Sequence, residues 1–514
     1  MKCRGMIMNR TAGILLPITS LPSKYGIGGF SKSAYDFVDW LKEAGQCYWQ
    51  ILPLVPTSYG DSPYQSFSTY AGNPYFIDLD ALIEEGVLTE EEVTAEDWGS
   101  DPSDIDYEKI YNSRYKLLRK AYERSNVSQN WEYNQFVYEN AWWLKDYALF
   151  MAVKNFFGGV TWTEWPEDIR LRYGYSVEYY QRELYYDIEF QQYMQYVFFK
   201  QWKALKAYAN DQGVQIIGDI PIYVAMDSAD VWASPELFYL DEENVPIEVA
   251  GCPPDGFSAT GQLWGNPLYR WDYHRNTGFG WWMGRLSHCF KMYDVVRIDH
   301  FRGFDEYYAI PYGEDSAVNG RWKNGPGVEL FWKMYEDLGE HKVIAEDLGY
   351  MTDGVRRLVK DSGFPGMKVL EFAFDSRDTG SASDYLPHNY IENSVAYTGT
   401  HDNETLTGWF QSIDEKERNM ARKYICDEVT PDDKLYWKFI CEVLKSHSHM
   451  CIIPFQDYLG LDNSARMNQP STVGKNWRWR VTEEQLSEKL QKEIREVTRR
   501  YGRLCWQWQE ALDK

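Results

Sequence analysis

Three acidic residues stand where apolar runs of the chain end. Asp299 follows Val295-Val296-Arg297-Ile298, Glu346 follows Val343-Ile344-Ala345, and Asp402 follows Thr398-Gly399-Thr400-His401. They lie 47 and then 56 positions apart. If each run is a strand of one closed parallel sheet, the three carboxyls meet at one rim. Like charges gathered in one pocket repel, so such convergence needs a chemical reason. Two carboxyls flanking a glycosidic bond supply one: the first attacks the anomeric carbon while the second protonates the leaving oxygen. The third would then stabilise the oxocarbenium-like transition state, or bind sugar hydroxyls and set the ring's distortion. Taken singly, each motif is weak, because strands commonly end in Asp or Glu and the turn around Asp402 also reads as a plain capping turn. The combination in this order carries the argument.

Residues two apart in a strand share a face, so Arg297 and Asp299 project side by side. A guanidinium beside a carboxylate lowers its pKa and keeps it ionised, which suits a nucleophile. A structural ion pair is the alternative. On the nucleophile reading, Arg297→Ala should abolish most activity and leave the fold almost intact. Asp219, closing Ile216-Ile217-Gly218, is a fourth polar strand end, placed to orient Arg297 through a salt bridge. His300 and His401 have the chemistry to donate hydrogen bonds to sugar hydroxyls, although a lone histidine is more often structural.

Eight short apolar runs place these residues, at 13–17, 48–54, 214–219, 295–299, 343–346, 367–374, 395–401 and 450–455. Runs of this length with little alternation suit strands buried on both faces of a parallel sheet. Helical spacing falls between several of them, over 31–44, 193–208, 330–338 and 352–360. Strand and helix repeated to eight is the pattern of an α/β protein, a (β/α)8 TIM barrel with inserted, mostly helical subdomains. The first barrel segment, 1–74, holds strands one and two. An acidic, aromatic insertion over 75–186 includes helical patterns at 107–123 and 131–157. Strand three falls in 187–219, and a rim insertion of loops and short helices, rich in Gly, Pro and aromatics, fills 220–290. The remaining strands and an amphipathic segment at 482–511 occupy 291–514. No internal repeat or low-complexity linker interrupts this plan.

With 514 residues, 44% of them hydrophobic, the chain can bury a large core. Its formal charge of -24 argues against nucleic acid or an anionic membrane as partner. Aromatics reach 17%, with 22 Trp and 40 Tyr, a surplus that suits stacking on the C–H faces of carbohydrate once packing has taken its share. The eight cysteines are scattered without a CxxC, and the short apolar run at 14–16 lacks a cleavage site, so the expected location is the cytoplasm. No phosphate loop or metal-ligand spacing appears, so no cofactor and no metal are expected.

The motifs together resemble the amylomaltase, or disproportionating-enzyme, 4-alpha-glucanotransferases of the alpha-amylase clan. They include Thr19-Ser20-Leu21-Pro22, Tyr59-Gly60-Asp61-Ser62-Pro63-Tyr64-Gln65-Ser66, Gly218-Asp219-Ile220-Pro221, Phe257-Ser258-Ala259-Thr260-Gly261-Gln262-Leu263-Trp264, Ala345-Glu346-Asp347-Leu348-Gly349 and Arg466-Met467-Asn468. The resemblance runs from about residue 13 to residue 480. It implies that Asp299 is the nucleophile, Glu346 the general acid/base and Asp402 the transition-state stabiliser, with Arg297, His401 and Asp219 in support. It also implies glucan contacts at Tyr59, Asp61, Ser62, Tyr64, Phe257, Ser258, Trp264, His300 and Asn468, and at Asp375 by a looser match. One departure is Gly256, where the family leads one to expect tyrosine.

The implied reaction is a retaining double displacement that passes a glucan segment from a donor to the 4-hydroxyl of an acceptor glucan or glucose. The nucleophile and acid/base are then expected at the retaining separation of roughly 5 to 5.5 Å rather than the inverting ~6.5 to 9.5 Å. Transfer must outrun hydrolysis, and the loops at Tyr59 and Phe257 are the expected shield against water. Two rivals stand beside this reading: a plain α-1,4-glucan hydrolase, and a non-catalytic glycan-binding protein on the same barrel.

Overall fold

The computed structural model describes residues 10–58, 60–254, 258–349, 351–376 and 382–505. Eight parallel strands form its centre: β1 (Thr11–Leu15), β2 (Tyr48–Gln50), β3 (Gln215–Ile220), β4 (Val295–Ile298), β5 (Val343–Ala345), β6 (Gly366–Val369), β7 (Ser394–Tyr397) and β8 (Met450–Pro454). They pair in chain order and close into a barrel, β8 returning to β1 with Ile452 opposite Gly13. Each strand falls in or overlaps one of the eight apolar runs. Some are shorter than their run, for local reasons. β2 stops at Gln50, ahead of Pro53, which has no N–H to give a ladder. After β6 the chain tightens into the 3-10 turn Leu370–Phe374.

Alternation along each strand sorts its side chains. Val295 faces the barrel interior with Leu15, Ile217, Ile344, Val395 and Ile452, while Val296 and Ile298 pack outward in the larger core beneath the helices. Arg297 and Asp299 therefore share the inward face with Val295. Gly218 on β3 is dictated by crowding, since a Cβ there would lie 2.2 Å from the Tyr293 ring.

The surrounding helices are α1 (Lys32–Glu43), α2 (Tyr185–Asp211), α3 (Gly280–Met292), α4 (Glu329–Leu338), α5 (Asp353–Ser362), α6 (Tyr436–Lys445) and α7 (Glu488–Arg500). Between β6 and β7 the described residues form only 3-10 turns. The insertion ahead of α2 is mostly helical, with Tyr107–Ser125, Trp131–Glu139, Ala141–Phe156 and Gly174–Glu183 as its longer members. The single helix expected over 131–157 is two. Asn140 departs from helical geometry, with φ -103° and ψ 7°, and its side chain bonds the Phe136 carbonyl. The ladder of bonds four residues back is next seen at Leu144, whose N–H donates to Asn140 O.

The rim region holds the expected short helices, at Ala229–Ala233 and Trp271–Asn276, and adds a sheet that was not expected. Glu248–Cys252 and Gln262–Pro267 pair with Glu306–Pro311 and Arg321–Asn324 in a four-stranded antiparallel sheet. Its outer strands are half exposed and mix polar residues with Gly265 and Pro267, so no apolar run announces them.

Candidate active site

Strand register brings the first two charges together. Asp219 on β3 is the direct partner of Arg297 on β4, and Val295 and Ile217 pair one step earlier on the same inward face. Arg297 Nη1 donates to Asp219 Oδ2 at 2.6 Å, and Nη2 donates to Asp299 Oδ1 at 3.0 Å. Both Arg297 and Asp219 are buried. The Tyr64 hydroxyl adds a 2.8 Å bond to Asp219 Oδ2. Burial pulls the Arg297 pKa down, but Asp219 and Asp299 outweigh it and hold the guanidinium charged.

Asp299 does not behave as its arginine neighbour alone would dictate. Burial pushes its pKa up, Arg297 pulls it down, and Asp219 and Asp402 push it up again, so the net shift is upward. The expectation that Arg297 lowers this carboxyl below its ordinary value is thereby corrected: the sign of the arginine's own effect was right, but desolvation is the larger force.

Glu346, one residue past β5, is held by backbone. Its Oε2 accepts from His300 N–H at 2.7 Å and its Oε1 from Leu348 N–H at 2.9 Å. Burial and then the charge of Asp299 raise its pKa, against the opposing pull of Arg297 and these two amides. His300 reaches Glu346 because its backbone is left-handed, with φ 51°. Its ring stands edge-on to Trp264 at 4.8 Å, and burial depresses its pKa to about 3, leaving the imidazole neutral.

Asp402 has a different set of partners. Asn468 Nδ2 donates to its Oδ1 at 2.6 Å, and His401 Nε2 lies 3.3 Å from Oδ2. Burial pushes upward, but His401, Asn468 and Arg297 together hold this carboxyl far below the usual range. His401 is buried and stacks on Tyr64 with ring centres 5.1 Å apart. Asp402 in turn raises the His401 pKa against the effect of burial. Arg466 Nη2 donates to the Asp402 carbonyl at 2.8 Å, and Asn468 N–H to the His401 carbonyl at 3.0 Å, so the 466–468 segment is strapped to this turn. Three carboxyls after β4, β5 and β7 thus share one rim, two with raised pKa values and one held ionised.

A model of the 4-alpha-glucanotransferase family matches residues 16–486. The chain belongs to this family. The 4-alpha-glucanotransferase of Clostridium butyricum is 48% identical over 488 residues, covering 95% of this chain and 99% of the relative. That of Streptococcus pneumoniae TIGR4 is 49% identical over 498 residues, covering 96% and 98%. A solved amylomaltase from Streptococcus agalactiae, in complex with acarbose, matches with a TM-score of 0.92 at 43% identity, covering 96% of this chain and 99% of that one. An amylomaltase from Corynebacterium glutamicum, at 19% identity and TM-score 0.75, shares the fold.

Around the carboxyls of this 4-alpha-glucanotransferase, the 57–66 loop closes on itself through the Thr57–Ser66 bridge and presents Tyr64. Ser62 Oγ accepts from Tyr64 N–H at 3.3 Å, and Asp61 turns the chain with φ 59°. Ser258 Oγ donates to the Gly261 carbonyl at 2.7 Å, at the turn leading into the strand that bears Trp264. Asp375 ends the 3-10 turn after β6. Tyr59, Gly256 and Phe257 lie outside the described residues. Trp477 is a site neighbour that sequence reasoning passed over. Its ring lies 5.8 Å from Tyr64 and 6.0 Å from His401, and nothing in its polar loop marks it apart from other tryptophans.

Proposed function

We propose that Asp299 is the nucleophile, Glu346 the general acid/base and Asp402 the transition-state stabiliser of this retaining 4-alpha-glucanotransferase, with Arg297, Asp219 and His401 positioning them. In the first step an Asp299 oxygen forms a bond to the anomeric carbon of an α-1,4-glucan as the glycosidic C–O bond breaks. Glu346 gives its proton to the departing 4-oxygen. In the second, Glu346 takes the proton from the 4-hydroxyl of an acceptor glucan or glucose, whose oxygen displaces Asp299. Two inversions leave the α configuration unchanged.

The observation that carries this assignment is the unequal treatment of the three carboxyls. Burial and the charge of Asp299 favour the protonated form of Glu346, as a general acid requires. His401 and Asn468 hold Asp402 ionised, as suits a group facing a developing oxocarbenium charge. Arg297, bonded to Asp299 at 3.0 Å, supports the ionised nucleophile against burial. Glucan contacts are proposed for Tyr59, Asp61, Ser62, Tyr64, Phe257, Ser258, Trp264, His300, Asn468 and Asp375. The acarbose bound to the Streptococcus agalactiae relative supports a sugar in the corresponding cleft. A cytoplasmic location belongs to the proposal, on the scattered spacing of the cysteines.

Incubation with maltotriose tests the reading. The expected products are glucose and a ladder of longer oligomers, all α-linked by NMR, and Asp299→Asn should lower the rate by about 10³-fold or more. Shorter sugars alone would identify a hydrolase, and β-configured products would exclude the double displacement.

A further inference from the structure

A buried carboxylate needs donors, and the place those donors come from tells what it holds. Asp457 stands three residues past β8, in the short helix Phe455–Tyr458, and is 1% exposed. Burial pushes its pKa up to about 6, against the pull of two donors. Both belong to the loop that carries Asp402. The Thr398 hydroxyl donates to Oδ2 at 2.5 Å, the length of a charge-assisted bond, and the Leu406 N–H donates to Oδ1 at 2.7 Å. Thr398 is the first residue after β7, and Leu406 opens the helix Leu406–Ser412. Asp402 is four residues from each. One carboxylate therefore closes the loop at its base, with Asp402 at the middle of the segment it closes.

The helix does not need Asp457 as its cap. Thr405 already holds that position, its Oγ1 accepting from Gly408 N–H at 3.2 Å. Within the loop, Asn403 Oδ1 accepts from Thr400 N–H and Oγ1 at 2.9 and 2.8 Å, and the Thr400 hydroxyl accepts from Asp402 N–H at 3.3 Å. These bonds shape the turn but anchor it to no other element. Asp457 supplies an anchor at the base, from the strand end next round the barrel, since β8 pairs directly with β7. Farther along the same stretch of chain, Arg466 and Asn468 hold the Asp402 and His401 carbonyls.

We infer that Asp457 is a positioning residue for the transfer reaction: by holding Thr398 and Leu406 on one carboxylate, it fixes where the Asp402 carboxyl meets the sugar. The inference rests on the proposed role of Asp402 as transition-state stabiliser. A displacement of about 1 Å at such a group costs on the order of 10²-fold in rate, even when its cause lies away from the chemistry. The loss falls on kcat, because Asp402 acts on charge that develops only in the transition state.

The experiment is a double-mutant cycle between positions 457 and 402, read with maltotriose and normalised to the folded fraction from circular dichroism. Asp457→Ala should lower kcat by about 10- to 100-fold and leave KM within about twofold. Asp457→Asn should restore kcat to within about threefold of wild type. Its amide oxygen accepts from Leu406 N–H, and its amide nitrogen donates to the Thr398 hydroxyl oxygen. In an Asp402→Asn background, Asp457→Ala should change kcat by less than about twofold, because the charge it positions is gone. Thr398→Val removes one of the two bonds at nearly the same size and should lower kcat by about three- to tenfold, an effect likewise lost in the Asp402→Asn background. It carries the same test if Asp457→Ala does not fold. An equal loss on both backgrounds would overturn the inference and make Asp457 a stability residue, as would an asparagine variant no better than the alanine one. Near-full activity of Asp402→Asn would instead break the catalytic reading, and this inference with it.

Discussion

The β4–β5 corner of the rim and its β7 corner hold carboxyls in the same cleft, yet the two corners treat a proton in opposite ways. Asp299 and Glu346 both have raised pKa values, and Asp402 is held far below the ordinary range. Burial acts on all three in the same direction, so it cannot be the discriminating force. The partners are. Asp299 and Glu346 repel one another, which Arg297 and the two amides on Glu346 do not offset, while Asp402 has a 2.6 Å amide donor and an adjacent imidazole besides the pull of Arg297. A short way from Asp402, the Glu371 carboxyl packs against Gly399 and shows what burial does without donors. Its Oε1 has no hydrogen-bond partner, and burial followed by the charges of Asp457 and Glu404 raises its pKa well above normal despite Arg466.

Arg297→Ala should disturb this contrast most. It removes the guanidinium that Asp219 and Asp299 share and leaves Asp219, which has no exposed surface, with the Tyr64 hydroxyl as its partner. Transfer from maltotriose is expected to fall by about 10³-fold or more, and urea unfolding to show a loss of roughly 3–5 kcal/mol. Stability is therefore expected to fall together with activity, whereas the strand pattern alone suggested a fold left almost intact. Near-full activity would return Arg297 to a structural role.

Asn468→Ala strikes the other corner. Losing a charge-assisted bond of about 1.5–3 kcal/mol should lower kcat by roughly 10- to 100-fold, with little change in melting temperature. An unchanged kcat would mean that His401 alone suffices for Asp402.

The pH profile of kcat/KM reads the contrast directly. Asp299 must be ionised to attack, so the acid limb should lie above the ordinary aspartate pKa of about 3.9. Glu346 must be protonated to act as acid, so its raised pKa sets the alkaline limb, and Asp402 contributes neither. An acid limb near pH 4 would contradict the upward shift at Asp299.

The smallest effect belongs to Glu371→Gln. A carboxyl with a raised folded pKa contributes stability below its unfolded value of about 4.3, and loses it as pH rises through the folded value. Wild-type stability should therefore decline across neutral pH. The glutamine variant should show a flatter curve and a gain of about 1–2 kcal/mol at pH 8 in thermal unfolding.

The barrel was legible in the chain because strands buried on both faces must be apolar throughout, as Val295, Val296 and Ile298 are. The acids were legible because each follows directly on such a run. The antiparallel sheet was not, since Gln262–Pro267 is half exposed and mixes Gly and Pro with polar residues. Nor were the partners that tell the carboxyls apart. Tyr64 meets Asp219 across 155 positions, and Asn468 meets Asp402 across 66, separations that no local pattern encodes. The net shift at Asp299 was misjudged for the same reason: adjacency to Arg297 is visible in the chain, but the degree of desolvation is a property of the folded cleft.

The left-handed turn at His300 gives the catalytic pair a mechanical character. Asp299 directly follows β4, and the very next amide grips Glu346 at 2.7 Å. The main chain that carries one carboxyl thus also grips the other, with Leu348 N–H holding the second oxygen of Glu346 and Arg297 holding Asp299. A β-branched residue at position 300, which resists the left-handed turn, would shift that grip without touching either carboxyl.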